Sequence, residues 1–443
     1  MKTKAADILE VIRSHILSDS FKERHKKSEK WFTRNKVFSF YITFALTLNL
    51  LRKTLQIELY NFLQPHDLSL ATKQAFCRAR QKISLAAYIE INQILIKEFY
   101  KTHSVNLFWS FRLLLIDGSN LLLPDTFFIR EKFGACSNGL IKDHCAMAKA
   151  SHVYDPLNNL TLDAIIAPYN TSERDMAIEH LAKIHASNPG FCDLIILDRG
   201  YPSITLFFFA QNNKQDLLVR TSLEFLPGHA QQKIKSGERD FVIEIRAQKL
   251  KGKNRRRFER LLPNIPITSK AYVRVLVIDL ENGTQEYLIT TLTDPKKHPY
   301  ELFRGLYNTR WDVEEDYKFI KIHAEMENFS TKTVEGLEQE FHATIFMSNV
   351  SALIANEAKA EIEQEKSVCD RKYEYKINRN ISLGLLKDRL VNVLTSKTNT
   401  IKQFCEHTKY LMKKNIVPIR KGRKFSRIRK VRRRHHITIR RNL

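Results

Sequence analysis

Two short apolar runs, each closed by an aspartate, constrain this chain more than any other feature. They are Arg112–Asp117 (RLLLID) and Leu194–Asp198 (LIILD). Apolar runs of this length, bounded by turn residues, predict strands. Strand ends are where α/β proteins place ligands. A single aspartate after a strand is more often a turn residue than a functional one, so the pair matters only if a third element joins it. Between the two runs the sequence predicts strands over Ala148–Tyr154 and Leu160–Ala167, split by the turn-rich Pro156–Asn159. A helix follows over Asn170–Ile184, with Asn170 and Glu173 spaced as a capping box. Pro202 suits the first turn of another helix through Phe209. Three strands, a helix, a strand and a helix predict an α/β or α+β core with a mixed sheet.

The flanking regions read differently. Residues 1–105 are mostly helical in pattern. The uncharged run Val37–Leu51 has 15 residues, too few for the ~20 a membrane span needs, and predicts a buried helix. Leu55–Leu63 and Leu70–Ile83 (LATKQAFCRARQKI) resemble a helix-turn-helix, with Arg78, Arg80 and Lys82 as candidate DNA contacts. An ordinary bundle with a basic face is the alternative. Residues 215–296 are rich in β-branched residues (LLVRT, FVIEIR, YVRVLVIDL, EYLITTL), with Asn282-Gly283 as a hairpin signal and a basic loop at Lys249–Arg260. They predict an all-β insertion that divides the core into 106–214 and 297–360. Residues 361–443 predict a helical region followed by a basic tail from Lys409.

Charge bears on the partner. The chain has 443 residues and a net charge of +25, and residues 407–443 hold 15 Lys or Arg and no acid. That balance points to a polyanion, most simply nucleic acid. Scarce Gly (13) and Pro (12) exclude collagen-like and low-complexity chains. The six cysteines form no C-x-x-C pair and predict free thiols in a reducing cytoplasm. The N-terminal residues lack the pattern of a signal peptide. No Gly-rich phosphate loop is present, so ATP is not expected.

The third element is Tyr307–Lys321 (YNTRWDVEEDYKFIK). At about 100° per residue, Tyr307, Arg310, Glu314 and Lys321 share a stripe about 60° wide. One carboxylate among two cations and a phenol suits a site holding a metal ion beside a phosphate. A salt-bridged amphipathic helix is the plainer reading. A break near Thr309 would shift Tyr307 and Arg310 but leave Glu314 and Lys321 on one face. Glu315 and Asp316 fall off the stripe and read as solvated, with Glu315 the fallback ligand. Trp311 reads as core packing. Ser119 lacks a nucleophile-elbow context, and His435 and His436 read as phosphate-facing or solvated.

Tyr307, Arg310, Glu314 and Lys321 match the pattern Y-x2-R-x3-E-x6-K in full. With Asp117 in LLLIDGSNL and Asp198 in LIILDRGYPS, the chain resembles the insertion-sequence-four group of bacterial DDE transposases over about residues 35–435. AFCRARQKIS is similar to the group's N-terminal DNA-binding segment, and PIRKGRKFSRIRK to its basic C-terminal stretch. The resemblance implies an RNase H-like catalytic core with an all-β insertion, a helical N-terminal domain and a basic C-terminal tail. It implies that Asp117, Asp198 and Glu314 are catalytic and hold two Mg²⁺ ions, with Mn²⁺ able to substitute, for in-line attack on DNA phosphodiesters. Tyr307, Arg310 and Lys321 would grip phosphates near the cut end. The implied partners are double-stranded DNA (terminal inverted repeats and target) and a second copy of the chain in a synaptic dimer. The implied location is the bacterial cytoplasm, on the nucleoid. The group's hairpin route uses a tryptophan in the β insertion. This chain has Trp31, Trp109 and Trp311 and none in 215–293, which leaves Phe225, Phe241, Tyr272 or Tyr287 as substitutes. A DNA-binding protein that no longer cuts, or a stand-alone nuclease of the same fold, are the competing functions.

Overall fold

The computed structural model describes residues 5–419 apart from 35, 50–51, 103–104, 137–144, 188–189, 282, 367–372, 388 and 396–399. His435, His436, Asn282 and nearly all of PIRKGRKFSRIRK lie outside the described residues.

Among the described residues, eight strands build the main sheet: β1 (Phe111–Leu122), β2 (Cys145–Asp155), β3 (Leu160–Pro168), β4 (Cys192–Leu197), β5 (Asp216–Thr221), β6 (Asp240–Arg246), β7 (Lys270–Asp279) and β8 (Gln285–Thr290). Their order is β3-β2-β1-β4-β5-β8-β7-β6, and the two-residue strand Ala135–Cys136 adds to β2. The pairs β1/β4 and β4/β5 are parallel, and the rest are antiparallel. The fold is therefore mixed α/β around a central mixed sheet. Leu113–Ile116, Leu194–Leu197 and Leu217–Val219 are all buried. Parallel strands covered on both faces need such unbroken apolar runs.

Register is what positions the two aspartates. The β1/β4 ladder runs from Phe111↔Cys192 to Ile116↔Leu197. Asp117 and Asp198 are each the next residue, so they leave the ladder side by side. Five residues before them, Arg112 and Asp193 are also partners. Their side chains form a buried two-point ion pair, Nε to Oδ1 at 2.7 Å and Nη2 to Oδ2 at 3.0 Å. A slip of one residue would break that pair and turn the side chains to the other face.

The segment 215–296 corrects two expectations. It is not all-β, because helices Gly228–Lys235 and Gly252–Leu261 interrupt its strands. The second helix takes up most of the supposed basic loop. Phe258 is fully buried there, edge-on to Phe208 of the helix Ile204–Asn212. Nor does it lie wholly between two parts of the core. β5 is a central strand of the core, and β6–β8 extend the same sheet.

Helices from both chain ends cover the other side. The 33-residue helix Val334–Lys366 packs against Phe40–Leu48, Ala86–Thr102, Ile401–Lys414 and β3. Asn349 on it both donates to the Thr161 carbonyl (2.8 Å) and accepts from the Thr161 N–H (2.8 Å), closing part of the β3 edge. The buried helix expected over Val37–Leu51 is Phe40–Leu48, capped by Ser39. The helices Leu55–Leu63 and Lys73–Arg80 are nine residues apart, too far for the tight turn of a helix-turn-helix. Lys409 does not begin a tail. It is buried in Ile401–Lys414, paired with Glu361 at 2.6 Å, and a strand Ile416–Ile419 follows. No helix among the described residues is long and apolar enough to cross a membrane.

Candidate active site

Asp117 and Asp198 stand at the end of the parallel ladder, and Glu314 comes to them on the helix Trp311–Lys318. The helix does break near Thr309: Leu302–Asn308 ends with Thr309, and Arg310 caps the next helix. Both motif side chains nevertheless reach the acids. The Tyr307 hydroxyl donates to Asp198 Oδ1 at 3.1 Å. Arg310, 4 % exposed, donates from Nη2 to Glu314 Oε1 at 2.8 Å and holds its Nε 3.8 Å from Asp198 Oδ1. One buried guanidinium thus sits between two of the acids.

Lys321 is placed differently from the helical-wheel reading. After Lys318 the helix widens into a π turn, Phe319–His323. The extra residue per turn redirects Lys321 to the carbonyl of Asn120, three residues past Asp117, and to Glu327 at 3.5 Å. Asp316 also departs from expectation. It is 1 % exposed, bonded to Arg379 at 2.5 Å and near His152 at 3.7 Å, because Arg379–Leu386 covers that side of the helix. Glu315 is exposed and paired with Lys318. Trp311 is 43 % exposed and carries the Arg310 guanidinium over its ring at 4.9 Å, so it is not core packing.

The structure adds residues that the sequence reading missed. Glu173 is not half of a capping box, since Ser172 is the N-cap residue. It packs on Gly118 and pairs with Lys149 at 2.9 Å. A Cβ on Gly118 would stand 2.9 Å from the Glu173 carboxyl carbon, so the glycine after Asp117 is what admits this fourth acid. The Asp117 carbonyl accepts from Ser151 Oγ at 3.2 Å and from the Tyr317 hydroxyl at 3.1 Å. His180 bonds Ser151 at 3.0 Å and Asp163 at 2.7 Å, extending a buried polar chain behind the site. No spacing signal marks these residues, because elements far apart in the chain bring them together.

The electrostatics follow from crowding. Burial first, then Asp198 and Glu314, push the Asp117 carboxyl up from 3.8 to about 6, against the pull of the Gly118 N–H and Arg310. Burial and Asp198 raise the Tyr307 phenol well above its ordinary range, so it stays protonated and donates. Setting aside Glu173 with its partner Lys149, three acids face one arginine, an excess of negative charge that suits a divalent cation. Among the described residues no three His, Cys, Asp or Glu side chains stand at metal-binding spacing, and Arg310 occupies the space between Asp198 and Glu314.

The N-terminal candidates do not join this site. Arg80 is buried and paired with Glu340 at 2.8 Å and Gln339 at 2.8 Å, so it is a structural anchor for the long helix rather than a DNA contact. Arg78 is exposed and Lys82 half-buried. Of the aromatic substitutes, Phe241 is buried and Tyr287 half-buried, while Phe225 and Tyr272 are exposed. Phe225 lines a cavity beside the loop that follows Asp198.

Acids gathered at the end of a parallel ladder, with an arginine among them, are residue types that metal-dependent phosphoryl transfer employs. Residues 109–350 match the family described as "Transposase DDE domain". The chain belongs to that family: it is a DNA transposase, a metal-dependent enzyme that cleaves DNA. No curated protein matches the sequence. Among solved structures it is similar to the cryo-EM structure of the piggyBac transposase synaptic complex with hairpin DNA, at 9% identity and a TM-score of 0.46, over 91% of this chain and 85% of that one.

Proposed function

We propose that the chain is a cut-and-paste transposase of the insertion-sequence-four type, with an RNase H-like core in which Asp117, Asp198 and Glu314 are the catalytic acids. The observation that carries this is the shared exit of Asp117 and Asp198 from one parallel ladder, with Arg310 tying Asp198 to Glu314. Asp117, Asp198 and Glu314 would hold two Mg²⁺ ions, which would supply the charge that activates the attacking oxygen and stabilises the leaving one. The chain's own residues do the rest. Tyr307 orients Asp198. Arg310 and Lys321 neutralise phosphate oxygens of the cut strand as it enters. Arg78, Lys82 and the cations beyond Ile419 lie along phosphates further out. Phe225 is the substitute that supports a hairpin route. Two copies pair two terminal repeats, and the work is done on DNA in the bacterial cytoplasm.

The test is a labelled duplex carrying the element's end, incubated with Mg²⁺ and a target plasmid. Cutting at the end and joining to the plasmid are expected, with both lost in Asp198→Ala. Cutting without end preference would favour a stand-alone nuclease. Tight binding without cutting would favour a protein that only binds DNA.

A further inference from the structure

The basic run Lys249–Arg260 has no part in the site described so far. Folded largely as a helix, it closes a pocket of about 430 Å³ beside the loop that follows Asp198. Four cations line that pocket, Arg174, Lys249, Lys251 and Arg257, and none of its lining residues is an acid. Phe225 forms part of its wall. Two helices begin at the pocket. Ser203 caps Ile204–Asn212, while Gly252–Leu261 starts after Lys251 with no side-chain cap. Uncapped first-turn N–H groups and the positive end of the helix dipole favour an anion.

Arg257 carries the argument furthest. Its side chain is 17 % exposed, and its Nε is buried without a hydrogen-bond partner. Among the described residues it pairs through Nη2 with Asp175, at 2.6 Å, and Asp175 lies outside the pocket lining. Burial weakens its hold on a proton; Asp175 opposes that shift, and Arg174 and Arg260 add to it. A buried guanidinium with a free N–H, set among like charges, is stabilised by an incoming oxyanion. Among the described residues neither Lys249 nor Lys251 has an ion-pair partner that would compete for it.

The pocket is also tied to the acids. Arg174 donates from Nε to the Gly200 carbonyl at 2.8 Å. Gly200 is two residues past Asp198, so the pocket and the acid site share one loop.

We propose that this pocket holds a backbone phosphate of the DNA strand under cleavage, gripped by Arg257, Arg174 and Lys251 with Phe225 as its apolar wall. The proposal rests on the reading of Asp117, Asp198 and Glu314 as a DNA-cutting site, and adds a second grip on the same strand. A placed phosphate fixes the register of the strand relative to the acids.

Binding of an end-bearing duplex is measured from about 50 to 200 mM salt, the range in which phosphate contacts dominate. Each lost contact should flatten the plot of log K against log salt by about 0.9. Arg257→Gln and Lys251→Gln should each show that change, with several-fold weaker binding at the low-salt end. Lys251 is exposed, so its variant reports even if Arg257→Gln folds poorly. Parallel salt lines for Lys251→Gln and a folded Arg257→Gln, in a wild type that binds and cuts, would overturn the pocket alone. A wild type that binds no DNA would overturn both readings. Inorganic phosphate and a nucleoside monophosphate form the second arm. If either raises the melting temperature in an Arg257-dependent way while the DNA slopes stay parallel, the pocket serves a free small anion and the proposal fails.

Discussion

Asp117→Asn should stabilise the metal-free protein while ending its activity. The fold holds the Asp117 carboxyl at about 6, against 3.8 in an unfolded chain, mainly by burying it. The folded state therefore binds this proton more tightly than the unfolded state. The destabilisation is absent below 3.8, grows as pH rises between the two values, and is complete above about 6. The rise from 3.8 to about 6 corresponds to about 3 kcal/mol, an upper bound for a side chain that retains some solvent. Asparagine carries no charge to bury, and its Oδ1 can still accept from the Gly118 N–H, which bonds the carboxylate at 2.9 Å. At about 2.1 cal/mol/K per residue, unfolding a chain of this size has an entropy near 0.9 kcal/mol/K, so 3 kcal/mol is about 3 °C in Tm. The assay is calorimetry with a chelator present. At pH 8 the variant should melt about 3 °C above wild type, and at pH 4 the two should nearly coincide. Adding Mg²⁺ should reverse the order at pH 8, because only wild type gains a ligand. A variant that melts at or below wild type at pH 8 in chelator would refute the account of a strained carboxylate.

Four other perturbations separate parts of the design. Glu314→Ala should abolish end cleavage with DNA binding nearly intact, while Lys318→Ala, which loses only an exposed pair with Glu315, should cut almost normally; equal losses in the cleavage assay would refute a special role for Glu314 on this helix. Gly118→Ala should cripple cleavage by displacing Glu173, and Glu173→Ala in the same chain should restore a folded Tm; no change in the single variant would remove the packing argument. Arg112→Met strands a buried Asp193 and should cost about 3–5 kcal/mol in chemical denaturation, with much of it recovered by adding Asp193→Leu. A chain ending at Ile419 keeps the folded helix with Lys409, Lys413 and Lys414 and loses the other 12 of the 15 terminal cations. If about five of those reach phosphates, its salt slope should be shallower by roughly 4–5, with end preference kept.

The central strands were legible because each is buried on both faces and so is written as an unbroken apolar run. What joins them was not. Nothing in RLLLID or LIILD states their register; the Arg112–Asp193 pair does, and it is visible only once the strands are side by side. The Tyr307–Lys321 stripe was readable as a pattern of residue types. Its geometry was not, since a break at Thr309 and a π turn at Phe319 both depart from uniform helical spacing. Arg80 and Asp316 were misread for a common reason. A charged side chain reads as solvated unless its partner is known, and their partners, Glu340 and Arg379, lie 260 and 63 residues away. Glu173 was hidden by the opposite error, a local capping pattern that the chain does not use.

The helical layer has a consequence for synthesis. The helix Ala5–Ile16 packs against Ile401–Lys414, so its two halves are about 385 residues apart in the chain. At about 5–20 residues per second, the first helix waits roughly 20–80 s for its partner to be made. Throughout that interval Ile8, Leu9 and Ile12, all buried in the finished protein, lack part of their cover. A ribosome that stops early therefore releases a sticky fragment rather than a smaller enzyme, and a working protein is obtained only from a transcript read through the helix Ile401–Lys414.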